Sequence, residues 1–224
     1  MVSAIVLAGG RGKRMGAVQS KQYINLNGKP ILYYTLKQFI DNNLIDKIFL
    51  VVPEDELEYC QLEVLNKYKL SVDELIIGGK ERQDSVYNAL VKAEGTDIIL
   101  IHDGARPFVS QRIINDAVKY AKIYKATAPG VVPKDTIKVK NGDNFSIHTP
   151  VRSNLMAVQT PQAFDYDMIY ECHKKIRQEG IEVTDDTMVV ELFNNKVYLY
   201  DGEYTNIKIT TPEDLILAEY LVKK

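Results

Sequence analysis

The chain has 224 residues, 46% of them hydrophobic and 26% charged, which suits one ordinary α/β domain with an appendage, or at most two domains. Its formal charge of −2 supplies no global basic field for nucleic acid, so any anion site must be a local cluster. No apolar run approaches the ~18 residues of a membrane span, and the N-terminus enters a strand pattern without a signal-peptide pattern, so a cytoplasmic location is expected.

In chain order, apolar runs at 4–8, 48–52, 75–77, 98–101 and 126–132 read as buried strands. Helical patterns at 31–39, 54–68, 83–93 and 111–124 alternate with them. That alternation predicts a doubly wound, mostly parallel α/β sheet of the Rossmann-like kind. Ligands of such sheets bind beyond the carboxyl ends of the strands, so loops at Gly9, Gly78-Gly79 and His102-Asp103-Gly104 should face one cleft. Residues 134–139 and 145–148 are short alternating segments around Asn141-Gly-Asp-Asn144, a hairpin pattern. A projecting two-stranded ribbon is marginal alone, and a second subunit is the economical partner for it. Beyond it come a strand at 156–159, helices at 166–178 and 185–193, a strand at 197–201 and a final helix at 212–222. Thr211 is the expected N-cap of that helix, with Pro212 at its first position. One domain, 1–224, with 134–155 as a dimerisation arm is the expected organisation.

The first strand runs into Gly9-Gly-Arg-Gly-Lys-Arg14, with Lys21 just beyond. Gly9, Gly10 and Gly12 can take positive φ and bring backbone N–H groups close to an anion, and Arg14 and Lys21 add cationic side chains. A Walker A loop would need Ser or Thr where Arg14 stands, and a dinucleotide fingerprint needs a third glycine in register. Taken alone, the segment fits an ordinary tight βα turn equally well. Cys60 and Cys172 lack Cys or His partners at ligand spacing and read as buried thiols. His102 reads as structural, and Asp185-Asp186 as a helix cap more readily than a paired-carboxylate site.

Eight motifs then occur in a fixed order: Leu7-Ala-Gly-Gly-x-Gly-x-Arg-Met15, Lys21-Gln-Tyr23, Gly78-Gly-Lys-Glu-Arg82 with Ser85-Val86, His102-Asp-Gly-Ala-Arg-Pro107, Asp135-Thr-Ile137, Gln159-Thr-Pro-Gln162, Thr184-Asp-Asp186 and Asn206-Ile-Lys-Ile-Thr210. Over nearly its whole length the chain resembles the 2-C-methyl-D-erythritol 4-phosphate cytidylyltransferases. The related ribitol-5-phosphate cytidylyltransferases share the glycine loop, Gln-Thr-Pro-Gln and Asn-Ile-Lys-Ile-Thr. His-Asp-x-Ala-Arg-Pro, Asp-Thr-Ile-Lys and Thr-Asp-Asp lean toward the methylerythritol enzymes, whereas Gly9 and Met15-Gly-Ala-Val18 lean the other way. Ser20 stands where the family usually has proline.

The resemblance implies that a polyol phosphate attacks the α-phosphorus of CTP, giving a CDP-polyol and pyrophosphate. It assigns Arg14 and Lys21 to the triphosphate, and Arg152 and Lys208 to the acceptor phosphate. Arg106, Thr136 and Thr160 are then expected to line the acceptor site. Ala8, Gly79, Lys80 and Ser85 would read the cytosine, with Gly9, Gly10, Gly12, Asp103 and Gly104 completing the nucleotide site. Mg²⁺ is expected to arrive on the CTP phosphates rather than in a dedicated carboxylate cage, with Asp103 nearby. If the ribbon crosses to a neighbour, Thr136 and Arg152 would complete that neighbour's site in a homodimer. Read by its position alone, Lys208 between Ile207 and Ile209 could be a solvent-facing strand residue, and Arg152 a surface charge. A nucleotide-binding domain without turnover is the alternative of another class; the joint presence of Arg14, Lys21, Arg152 and Lys208 argues against it, because a sensor needs no acceptor-positioning cations.

Overall fold

A computed structural model describes residues 1–9 and 20–223. In chain order the strands are β1 (Val2–Leu7), β2 (Asn25–Leu26), β3 (Lys29–Pro30), β4 (Lys47–Val52), β5 (Glu74–Ile77), β6 (Ile98–Asp103), β7 (Ala126–Val131), β8 (Val139–Lys140), β9 (Ser146–His148), β10 (Ala157–Val158), β11 (Gln162–Asp165) and β12 (Tyr198–Asp201). Eight of them form one sheet, ordered β10-β7-β11-β6-β1-β4-β5, with β12 also paired to β7. β4, β1, β6 and β5 pair in parallel, as does β12 with β7.

Strand β1 shows why the sheet is covered on both faces. Ala4 and Val6 pack in one apolar cluster with Leu32, Leu36 and Phe39 of helix Ile31–Ile40 and Ile113 and Ala117 of helix Gln111–Tyr124. Ile5, pointing the other way, joins Val86 and Leu90 of helix Arg82–Lys92 and Ile169 and Ile176 of helix Tyr166–Glu179. Each such fully buried aliphatic side chain contributes about 1.5–3 kcal/mol. Capping fixes the helix starts: Ser110 accepts from the Ile113 amide, Asp165 from Met168, and Thr211 from Asp214 in a capping box with Pro212 at the first position.

The structure departs from the sequence reading at five places. Strand β11 was not foreseen; it lies between β6 and β7, antiparallel to both, directly after a cis Thr160-Pro161 bond. The predicted helix 54–68 is instead a 3₁₀ turn (Glu54–Glu56), one α-turn (Leu57–Tyr59) and a π-helical stretch (Cys60–Asn66). Buried Cys60, Val64 and Leu65 share one stripe only when the winding is wider than α. The ribbon pairs only β8 with β9, so Thr136 precedes it rather than lying within it. Lys208 stands in irregular backbone, not in a strand; the segment is held by the Ile209 amide donating to the Ala105 carbonyl (2.9 Å). Finally, Gly9 is not among the positive-φ glycines. A Cβ placed there would meet nothing within 4 Å, so what Gly9 leaves is open space over the strand end.

Candidate active site

The carboxyl ends of β1, β5 and β6 open into one cleft, lined among others by Ala8, Gly9, Lys21, Gly79, Lys80, Ser85, Asp103 and Lys208. The three loops predicted to converge do so. Two close approaches explain their glycines. The Gly104 amide donates to the Leu7 carbonyl at 2.8 Å, and a Cβ on Gly104 would lie 2.9 Å from that same oxygen. A Cβ on Gly79 would sit 2.2 Å from the Asp84 Cβ. Ser85 Oγ accepts from the Gly79 amide (3.0 Å), tying this loop to the start of helix Arg82–Lys92, where Glu81 and Asp84 form a capping box.

Asp103 is the electrostatic centre. Its Oδ2 lies 2.7 Å from Lys208 Nζ and 3.8 Å from Arg106 Nε, and its Oδ1 lies 3.7 Å from Arg82 Nε. Burial opposes its charge, but Arg82, Lys208 and Arg106 together hold the carboxyl well below its ordinary range. Arg82 continues inward, its Nη2 donating to Oδ2 of fully buried Asp186 (2.7 Å), whose Oδ1 meets His173 Nε2 at 3.1 Å. Asp186 too resists burial and is held ionised by Arg82 and His173. Arg106 donates to the Asn206 carbonyl (2.7 Å), its Nε lacks a hydrogen bond, and its burial is only partly offset by Asp103.

Beneath Asp103 runs a chain of neutral hydrogen bonds. The Asp103 amide donates to Thr160 Oγ1 (3.1 Å), which lies 3.0 Å from His102 Nδ1, while His102 Nε2 lies 3.1 Å from the Arg106 carbonyl. A carbonyl only accepts, so Nε2 carries the proton and Nδ1 accepts from the Thr160 hydroxyl. Burial depresses the His102 pKa to about 4, in keeping with the structural role expected for it. The Thr160 proton, expected to face an acceptor, is taken up by this chain.

Thr136 and Arg152 do come together, Arg152 Nη2 donating to Thr136 Oγ1 at 3.1 Å, but on the exposed ribbon side and not along the cleft. Gly10, Gly12 and Arg14 lie outside the described residues. Among the described residues no group of three or more His, Cys, Asp or Glu is placed to hold a metal. Asp103, an ionised oxygen donor at the cleft, fits a single carboxylate contact to a hard hydrated cation.

The sequence model of the 2-C-methyl-D-erythritol 4-phosphate cytidylyltransferase (IspD) family matches residues 2–224. The chain belongs to this family. Proteins of that name from Clostridium beijerinckii and Clostridium botulinum (strain Eklund 17B / Type B) are 74% and 64% identical to it, each alignment covering 100% of this chain and 99% and 100% of the relative. The 4-diphosphocytidyl-2C-methyl-D-erythritol synthase of Anaerococcus prevotii superposes with a TM-score of 0.88 at 33% identity, covering 100% of this chain and 96% of that one. The Thermus thermophilus cytidylyltransferase follows at 0.80 and 29%, with 98% of both chains covered. Membership makes the chain a CTP-dependent nucleotidyltransferase, a class that generally uses a divalent metal.

Around this cytidylyltransferase cleft, the sequence reading gave no role to Arg82, His173, Gln22 or Glu56, and read Asp186 only with Asp185 as a helix cap. Arg82 and Asp186 sat inside quoted motifs, but 104 residues separate them and nothing local signals the pairing. Asp185 does cap helix Asp186–Glu191, accepting from Met188 at 2.9 Å, so the cap reading holds for the first of the two aspartates while the second is the buried partner of Arg82.

Proposed function

We propose that this cleft transfers CMP from CTP to 2-C-methyl-D-erythritol 4-phosphate, giving 4-diphosphocytidyl-2-C-methyl-D-erythritol and pyrophosphate. The observation that carries the reading is Asp103 at the end of β6, drawing Lys208, Arg106 and Arg82 to one point opposite the Lys21 turn. Two polyanions must meet there, and the reaction asks for cations preorganised around the phosphorus rather than for a covalent nucleophile.

The cytosine sits against Ala8, Gly79, Lys80 and Ser85, where main-chain groups address its edge and the close packing of Gly79 on Asp84 holds the loop in place. Lys21, with Arg14 from the loop, holds the triphosphate. The acceptor phosphate lies against Lys208 and against Arg106, and the burial of the Arg106 guanidinium is only partly offset by Asp103. Its oxygen attacks the α-phosphorus, and the bond to the bridging oxygen of pyrophosphate breaks. The four cations lower the barrier by meeting charge that spreads over the phosphoryl oxygens. Mg²⁺, held by the CTP phosphates with Asp103 alongside, would supply further charge neutralisation on the leaving pyrophosphate.

The ribbon completes the assembly. Phe145 and Ile147 of the hairpin and Val151 just beyond it are 73%, 63% and 64% exposed, apolar side chains that a partner surface would cover. A second copy covering them makes a homodimer and brings Thr136 and Arg152 to the neighbour's acceptor site. A cytoplasmic enzyme is the setting consistent with these substrates.

The test is pyrophosphate release with CTP and Mg²⁺, comparing 2-C-methyl-D-erythritol 4-phosphate with D-ribitol 5-phosphate at matched subsaturating concentrations. A large preference for the first is expected. Preference for the second would reassign the acceptor, and no release with either would leave a binding domain.

A further inference from the structure

Lys21 sits in a 3₁₀ turn, Lys21–Tyr23, whose neighbours are all fastened to one short segment. Glu56 meets both residues that flank the lysine. Its Oε1 accepts from Ser20 Oγ, and its Oε2 accepts from Gln22 Nε2 at 2.9 Å. The Gln22 amide is buried and donates a second bond, 2.6 Å, to the Ala8 carbonyl at the mouth of β1. Tyr23 is buried and packs edge to face on Tyr59, its ring centroid 4.9 Å away. Residues 20, 22 and 23 are thus tied to the body of the protein by these contacts, while Lys21, together with an edge of buried Gln22, lines the cleft.

We propose that Glu56 is the positioning residue for Lys21, and that through Gln22 it also sets the Ala8 carbonyl. The inference rests on the reading of Lys21 as a triphosphate contact. One carboxylate spans the lysine on both sides, so it fixes the direction in which the lysine leaves the turn. A long flexible side chain is useful at a transition state only if its origin is fixed, since displacement of about 1 Å can cost ~100-fold in rate. Ser20 has φ −58°, the value a proline ring would impose by itself, and ψ 136°, which a proline there can also adopt. Its hydroxyl bond to Glu56 supplies the same restraint by a different means.

Two readouts separate this role from a general loss of structure. The first is independent of activity: the Tyr23 and Ile24 amides, which donate to the Ser20 and Lys21 carbonyls (3.0 and 3.2 Å), define the turn. Glu56→Ala is expected to speed their hydrogen exchange roughly tenfold while leaving β6 amides unchanged. The second is kinetic. Glu56→Ala should lower kcat about tenfold or more with the acceptor KM held within about threefold. Glu56→Gln, which keeps two hydrogen-bonding atoms, should restore about half of that loss or more, and adding Ser20→Pro to Glu56→Ala should raise kcat about threefold. Should Glu56→Ala fail to fold, Glu56→Asp shortens the carboxylate so that it no longer reaches both neighbours and is expected to show the same split. Unchanged exchange at Tyr23 and Ile24 overturns the proposal whatever the activity. Faster exchange with turnover within about threefold of wild type overturns its catalytic part. A wild-type protein that releases no pyrophosphate would count against the function of the cleft, with the exchange result still deciding the role of Glu56.

Discussion

Lys208 Nζ lies 2.7 Å from Asp103 Oδ2, so this cleft-lining amine is aimed by a carboxylate that is itself held ionised by two arginines as well. The pair is not a surface salt bridge of little consequence, because Asp103 is buried and has three cationic neighbours. Removing the lysine leaves Arg82 and Arg106 to neutralise Asp103, so the fold is expected to survive while the phosphate contact proposed for Lys208 is lost. Lys208→Ala is therefore expected to lower kcat by ~100-fold or more, with the melting temperature nearly unchanged and the CTP dissociation constant within about threefold of wild type. Steady-state kinetics and calorimetric CTP titration check this; turnover near wild type would remove Lys208 from the chemistry.

Much of this was legible in the sequence, for identifiable reasons. Strands such as β4 and β6 are short apolar runs bounded by charged or turn residues, and helix Gln111–Tyr124 shows its apolar stripe plainly enough that both ends agree with the reading. Local chemistry also gave the Thr211 cap. What was not legible depends on tertiary context. Gln162–Asp165 is only four residues, and its strand identity comes from pairing with Ile98–Ile101 and Ala126–Thr127 on either side. Lys208 appeared to be one face of an alternating strand because Ile207 and Ile209 flank it; in fact long-range contacts with Ala105 and Asp103 set its direction. Glu56 carries no motif at all, and only the return of the chain at residues 20–22 reveals its partners.

The Arg82–Asp186 pair should be structural as well as electrostatic. Asp186 is fully buried, accepts from Arg82 at 2.7 Å, and its amide is satisfied by Gln162 Oε1 at 3.0 Å. Asp186→Asn leaves the half-buried Arg82 guanidinium short of its countercharge, and a loss of about 1–3 kcal/mol in unfolding free energy is expected from urea titration at neutral pH. The folded-state pKa values of Asp186 and Asp103 lie below those of the unfolded chain. Their contribution is thus present above the unfolded carboxylate value of about 3.9 and is lost as pH falls through the depressed folded values. Wild type should lose stability steeply below about pH 4, and Asp186→Asn less steeply. Parallel acid-unfolding curves would contradict this.

The ribbon offers a prediction about assembly. Phe145 and Ile147 are the most exposed apolar residues of the hairpin and lie at its turn and second strand, away from the sheet. Phe145→Asp with Ile147→Asp is expected to leave the sheet intact by circular dichroism, shift the sedimenting species from dimer to monomer, and lower turnover about tenfold or more as Thr136 and Arg152 are withdrawn from the neighbouring cleft. A wild-type monomer, or a double variant that is monomeric and fully active, would exclude any sharing of the site between subunits.

His102 separates a second pH window from the acid one. Its Nδ1 accepts from Thr160 and its Nε2 donates to the Arg106 carbonyl, so the neutral ring is the one the hydrogen bonds require. Protonation would place a second proton against the Thr160 hydroxyl in a fully buried site, which is why burial lowers the pKa to about 4. An unfolded histidine titrates near 6.5, so the unfolded chain binds a proton that the folded chain refuses between those values. Stability from this residue is complete above about pH 6.5 and declines as pH falls toward 4, by an amount on the order of 3 kcal/mol. His102→Gln keeps one donor and one acceptor without a titrating ring, and its urea midpoint should be flatter than wild type between pH 6.5 and 4 while the carboxylate-driven fall below pH 4 persists in both. Proton resonances of the His102 ring in the folded protein should stay at their neutral positions down to about pH 5; a midpoint near 6.5 would show that the ring is not held as the Thr160 and Arg106 bonds imply.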